Sequence, residues 1–159
     1  MTEASIVHSQ FTIQEQSVIS HAIAILNQHF KSKQSFFSSP TSVKNFLRLE
    51  METEYREVFA VCFLNTQHQL IKFSKLFFGD LNQAPVHIGI IAKEALLLNS
   101  KCLILCHNHP TGDSSPSTAD IQTTNAIKKA LELLSISILD HIIIGHNDSI
   151  CSFSEMGLI

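Results

Sequence analysis

The segment Cys102-Leu-Ile-Leu-Cys106 is an unbroken apolar run. It leads into His107-Asn-His109-Pro110, a polar loop holding Gly112 and Pro116, and then Ser117-Thr-Ala-Asp120. Such a run reads as a central strand covered on both faces, so the chain has to supply a layer on each side of it. Residues two apart on an extended chain point the same way, which lets His107 and His109 aim two imidazoles at one point. Ser117 reads as a helix N-cap, with Asp120 three residues on and able to turn its carboxylate back toward the strand end. Two imidazoles and one carboxylate make three protein ligands, the number in a catalytic zinc site whose fourth position is left for water or substrate. Taken singly, Ser-x-x-Asp is a variant capping box, and the two histidines are solvent-exposed or bonded to loop carbonyls. The combination at this spacing is what points to a metal.

The rest of the chain supplies the layers. Thr12 to Phe30 carries Ile13, Val18, Ile19, Ala22, Ile23 and Leu26 near a 3.6-residue period, and Thr12 with Glu15 forms a capping box for this first helix. A linker rich in Lys, Ser and Gln follows, Lys31 to Ser39, and then a short helix entered through Ser39-Pro40, with Val43, Phe46, Leu47 and Leu49 as its apolar contacts. The acidic stretch Glu50 to Glu57 reads as a solvated face. Val58 to Leu64 and Leu70 to Phe78 read as a hairpin around Asn65 to Gln69. After a turn over Gly79 to Pro85, His87 to Asn99 and Thr118 to about Leu134 read as helices, and Ile136 to Ile144 and Ser149 to Phe153 as closing strands. The expected fold is a three-layer α-β-α domain with a mixed sheet of about five or six strands and the metal at the end of the central strand. Residues 1–37 form an N-terminal helical extension with its linker, and 38–159 form the domain.

With 45% apolar and 16% charged residues among 159, the chain has a well-buried globular composition. A formal net charge of −3 gives no overall basic field for sequence-independent DNA binding. Cys62, Cys102, Cys106 and Cys151 form no Cys-x-x-Cys pair and read as buried free thiols of a reducing cytoplasm. No apolar run approaches the length of a membrane span, and Met1 to Gln10 lacks the basic and apolar parts of a signal peptide. A cytoplasmic protein is the expectation.

His107-Asn-His109-Pro110, Ser117 and Asp120 resemble the JAMM metal motif of JAB/MPN-domain metallopeptidases. Ala84-Pro-Val-His87, Lys93-Glu-Ala-Leu96, His107-Asn-His-Pro-Thr-Gly112, Pro116-Ser117 and Asp140-His-Ile-Ile-Ile-Gly145 are similar to the RadC branch of that family. The resemblance runs from about Ser38 to the end. It is closest to short RadC-like proteins without the helix-hairpin-helix segment. It implies a JAB/MPN-like architecture related to that of cytidine deaminases, although the deaminase signatures His-x-Glu and Pro-Cys-x-x-Cys are absent.

The resemblance also implies roles. His107, His109 and Asp120 would hold one Zn2+ per chain, Glu57 would be the general base, and Ser117 the oxyanion serine. The implied substrate is a protein or peptide, cut at a peptide or isopeptide bond. The chain departs from the RadC pattern at Ser74, where an acidic residue is common on the second strand, and at Ile88-Gly89-Ile90, where a Pro-Arg-Glu run is common. A different function class is a non-catalytic, metal-bearing binding module that uses the first helix to join a partner or a second copy. DNA-repair association is a third. His87 reads as a capping or surface histidine or a cleft-edge residue, His146 as a turn residue. His141, next to Asp140 on a strand, reads as structural because neighbouring strand residues face opposite ways.

Overall fold

A computed structural model describes residues 11–32, 37, 39–79 and 86–159. Met1 to Gln10, the centre of the expected linker, the boundary set at residues 37 and 38, and the turn beyond Gly79 lie wholly or largely outside the described residues. The elements, in order, are α1 Ile13–Ser32, α2 Pro40–Met51, β1 Val58–Leu64, β2 Leu70–Phe78, α3 Ile88–Leu97, β3 Cys102–Asn108, α4 Thr118–Glu132, β4 Ser137–Ile144 and β5 Ile150–Ser152. The five strands form one mixed sheet in the order β2-β1-β3-β4-β5. β1 is antiparallel to β2 and β3, β4 is parallel to β3, and β5 returns antiparallel along β4.

Alternation along β1 and β3 divides the core in two. Val58, Ala60, Cys62, Ile104 and Cys106 face α2, which buries Val43, Phe46, Leu47 and Met51 against them. Phe59, Val61, Phe63, Leu103 and Leu105 face the other way, onto Ile91 and Ala95 of α3 and Ile127 and Leu131 of α4. The expected three layers are therefore present. Each fully buried Leu, Phe or Met contributes about 1.5–3 kcal/mol of transfer free energy. Every residue of β1 and β3 is buried, so the sheet fixes the direction in which β3 ends.

Local capping agrees with the sequence. The Thr12 N–H donates to Glu15 Oε2 at 2.7 Å and the Glu15 N–H to Thr12 Oγ1 at 3.3 Å, while Ser39 caps α2 in a box closed by Ser42. The hairpin loop closes through the Asn65 N–H on the Gln69 carbonyl at 3.0 Å. Three expectations need correction. The acidic stretch is not simply solvated, because Glu54 is buried and pairs with Lys75 at 2.7 Å. Leu49 is exposed on α2, and Met51 packs into the core instead. Cys151 is only partly buried, because β5 is a short edge strand.

α1 lies over α2 and sends Leu26 to the edge of the α2-side core, but Ile13, Val18 and Ile25 remain exposed. No helix among the described residues is long and apolar enough to cross a membrane.

Candidate metal centre

The site forms where β3 leaves the sheet. His107 is the next-to-last residue of β3, paired with Phe59 of β1 and Ile143 of β4, and its ring lies on the α3/α4 side. One residue past the strand, the His109 N–H continues the ladder onto the Ile144 carbonyl at 2.9 Å. The loop then turns at Gly112, whose N–H donates to the His109 carbonyl and whose carbonyl accepts from the His146 N–H, each at 2.9 Å. Gly112 has φ +89°, a backbone conformation open to glycine. Gly145 lies against it so closely that a Cβ there would stand 2.2 Å from the Gly112 oxygen. The β4–β5 turn thus clamps the loop that carries His109.

α4 brings the carboxylate. Ser117 is its N-cap and Asp120 its N3 residue: the Asp120 N–H donates to Ser117 Oγ at 3.1 Å, and the Ser117 N–H donates to Asp120 Oδ2 at 2.7 Å. The box leaves Asp120 facing both imidazoles. His107 Nε2 is 2.9 Å from His109 Nε2 and 3.2 Å from Asp120 Oδ1, and His109 Nε2 is 3.5 Å from Asp120 Oδ2. These separations bracket the edge of about 3.3 Å of a tetrahedron with metal–ligand bonds of about 2.0–2.1 Å. Among the described residues, these three form the His, Cys, Asp or Glu group close enough to share one ion. The donor set fits a divalent metal.

Electrostatics support the grouping. The His109 Nδ1–H donates to the Asp113 carbonyl at 2.8 Å, which leaves the Nε2 lone pair for the site. Asp120 raises His109 above the ordinary imidazole value by hydrogen bonding; burial opposes this, and the Asp113 carbonyl and the charges of Asp120 and Glu57 add to it. Burial alone would raise Asp120, but the facing imidazoles of His107 and His109 and the Ser117 hydroxyl hold it far below the carboxylate range. Two imidazole nitrogens and a carboxylate facing each other need a shared cation, whether a proton or a metal.

The other expected residues are placed differently. Glu57 lies one residue before β1, exposed, and its charge is felt at His109. Carrying the β1–β3 register two pairs beyond Phe59 and His107 would set it across from His109. It is outside the three-ligand group. Ser117 is beside the ligands, with its hydroxyl donating to Asp120 Oδ2 at 2.6 Å. Ser74 pairs with Val61, in the row of Leu105, two residues short of His107. There its hydroxyl and Lys72 both bond Glu94 of α3, at 2.9 and 2.8 Å. The β2 residue in the His107 row is Phe77, which leaves Ser74 outside that row. Ile88-Gly89-Ile90 forms the first turn of α3. His87 stands at its N-cap position without a capping bond, its ring 6.0 Å from Phe77.

Sequence reasoning passed over one residue that touches a ligand. His141 is 1% exposed, and its Nε2 lies 2.8 Å from His107 Nδ1. Its Nδ1 lies 2.6 Å from Thr124 Oγ1, which is itself 2.6 Å from the Asp120 carbonyl oxygen. The Asp140 carboxylate faces away from the His141 ring, as neighbouring strand residues do, and accepts from Ser152 Oγ, Ser154 N–H and the His141 backbone N–H. The overlooked signal was cross-strand: parallel pairing of Leu105 with His141 puts His141 on the His107 face.

Comparison with known proteins gives a consistent picture. The model of a family described as RadC-like JAB domain matches residues 37–158. A UPF0758 protein of Methylibium petroleiphilum is 47% identical over 123 residues, 77% of this chain and 55% of its own length. One from Histophilus somni is 48% identical with the same coverage, so the chain spans about half the length of these curated relatives. The UPF0758 protein YkfG of Escherichia coli K12 is 37% identical over 159 residues, the whole of both chains.

Proposed function

The chain belongs to the RadC-like JAB domain family, and on that premise we propose that it is a zinc-dependent hydrolase of peptide or isopeptide bonds. The observation that carries this reading is the convergence of His107, His109 and Asp120 at tetrahedral ligand spacing, with a carboxylate, Glu57, beside the group but outside it. Imidazole-rich sites suit zinc among the available divalent metals. Zinc held by these three residues supplies Lewis acidity for an attacking water and for the amide carbonyl.

The chain's own residues then divide the work. Glu57 takes a proton from the attacking water and returns it to the leaving amine, a role open to it because it ligates nothing. Ser117 donates a hydrogen bond from its hydroxyl to the developing oxyanion, exchanging its present partner Asp120 Oδ2 for the substrate oxygen. The substrate is a protein or peptide that reaches the β3 end from the Glu57 side.

The test is elemental analysis of the full chain from metal-replete medium, followed by assay on panels of linear and Lys-Nε-linked fluorogenic peptides. About one zinc per chain, lost in His109→Ala, with cleavage that requires it, is the expected result. Zinc bound without cleavage of any panel member would move the reading to a non-catalytic binding module. The exposed Ile13 and Val18 of α1 favour that second reading, with the helix joining a second copy or a partner. Size-exclusion chromatography of Ile13→Glu and Val18→Glu variants tests it, since loss of an oligomer is what it requires.

A further inference from the structure

We propose that Thr124 and His141 are positioning residues of the metal centre: together they hold His107 in the single tautomer that presents its Nε2 lone pair to the ion. The proposal rests on the metal-site reading above and extends it to two residues that touch no reacting atom.

The argument is a count of protons along one line of contacts. The Asp120 carbonyl oxygen can only accept, and Thr124 Oγ1 lies 2.6 Å from it. Two oxygens that close repel unless a proton lies between them, so the one hydroxyl proton of Thr124 points to Asp120. Toward His141, 2.6 Å away, Thr124 can then only accept, and His141 Nδ1 must carry a hydrogen. His141 is buried against the rings of Phe59 and Phe153, at 5.5 and 4.7 Å between centroids, where an imidazolium would be poorly solvated. With one proton, on Nδ1, its Nε2 offers a lone pair to His107 Nδ1 at 2.8 Å. His107 must therefore bear its hydrogen on Nδ1, and Nε2 faces His109 and Asp120 as a bare donor. No other assignment of a neutral chain satisfies all three short contacts.

The same line ties ligand to ligand. Asp120 contributes its side chain to the ion and its backbone carbonyl to the Thr124 hydroxyl, so a shift of α4 reaches His107 through His141 as well as through the ion. The Phe59 ring lies parallel to His107, 9° between planes, an arrangement that a 180° flip of the imidazole about χ2 would keep, so holding Nδ1 is what selects one flip. His141 supplies that hold.

The experiment is long-range 15N–1H NMR of the histidine rings in the metal-free full chain, together with zinc affinity measured by chelator competition. Expected are an Nδ1–H pattern for both His107 and His141 in the wild type, and a zinc affinity lowered about 10- to 100-fold in Thr124→Val and His141→Leu. Thr124→Ser, which keeps the hydroxyl, should stay near wild type, and His141→Gln, whose amide oxygen can accept from His107, should recover part of the loss. An Nε2–H pattern for His107 in the wild type, or equal zinc affinity in Thr124→Val and wild type, overturns the proposal. If the wild type bound no zinc, the metal reading would fail, and the ring spectra would still decide whether the relay exists. Thr124→Val is nearly isosteric, so the question survives if His141→Leu does not fold.

Discussion

Asn108 stands in for a strand partner of Val58. Its side-chain Oδ1 accepts the Val58 N–H at 2.8 Å, while its Nδ2 donates to the carbonyls of Glu54 and Arg56 at 3.1 and 2.9 Å. The residue between the two histidines thereby pins the backbone on both sides of Glu57. Asn108→Asp removes both Nδ2 donations and leaves a buried carboxylate facing two carbonyls. We expect a stability loss of about 1–3 kcal/mol in denaturant unfolding, with zinc stoichiometry kept. Hydrolysis should fall along with stability, because Glu57 loses its anchor. Unchanged unfolding would show that the two Nδ2 bonds contribute little.

Glu57→Gln separates binding from turnover. The amide cannot accept a proton from water, and the group is outside the ligand set, so zinc content should stay at wild-type level. Turnover should drop by about 10² to 10⁴, the usual contribution of a positioned general base. Turnover within twofold of wild type would remove Glu57 from the mechanism.

The His109 shift gives a pH dependence with a definite sign. Its folded value is raised above the ordinary 6.5, first by Asp120. In metal-free protein this stabilisation is fully present below about pH 6.5 and is lost as pH rises through the raised value. Zinc needs the same nitrogen without its proton. The rise in thermal midpoint on adding zinc should therefore be larger at pH 8 than at pH 6, measured against an EDTA-treated control. The opposite order would mean that zinc does not use His109.

Gly145→Ala tests the clamp on the metal loop. The added Cβ would meet the Gly112 carbonyl at 2.2 Å, with backbone rather than a flexible side chain in its way. The loop must move, and His109 with it. We expect zinc affinity to fall at least 10-fold while the circular dichroism of the sheet is kept, and a variant that binds zinc normally would show that the loop is not held there.

Burial pushes the Cys106 and Cys62 thiols well above their ordinary value, so neither forms thiolate near neutral pH. Disulfide-exchange reagents should modify Cys151 in the native protein and leave Cys62 and Cys106 intact until denaturant is added. Mass mapping of the labelled peptides checks this, and native labelling of Cys106 would place it outside the core.

Strand and helix positions were legible because each carries its own period. The apolar run into His107 gave the central strand, and the Ser117–Asp120 spacing gave a cap whose carboxylate also faces the ligands. Burial of Glu54 was not legible, since an acidic side chain shows nothing of the Lys75 that meets it from the next strand. His141 was hidden for a related reason. Its neighbour Asp140 drew the comparison along the chain, whereas its partner lies across the sheet on β3, and strand order is not written in any local pattern. Where Ser74 stands was likewise a matter of register, since only the β1–β2 pairing shows that Phe77 and not Ser74 shares the His107 row.

The candidate ligands and the residues tied to them, His107 to His141, come from one continuous β3–α4–β4 passage, whereas Glu57 enters 107 − 57 = 50 residues before the first of them, just ahead of another strand. The two halves are therefore separable under mutation. A descendant could lose the acid at position 57 and keep an intact ion-binding cup, or keep the acid and lose the cup. On the proposed reading, metal content and hydrolysis are then independent characters, and a lineage could shed chemistry while keeping an ion.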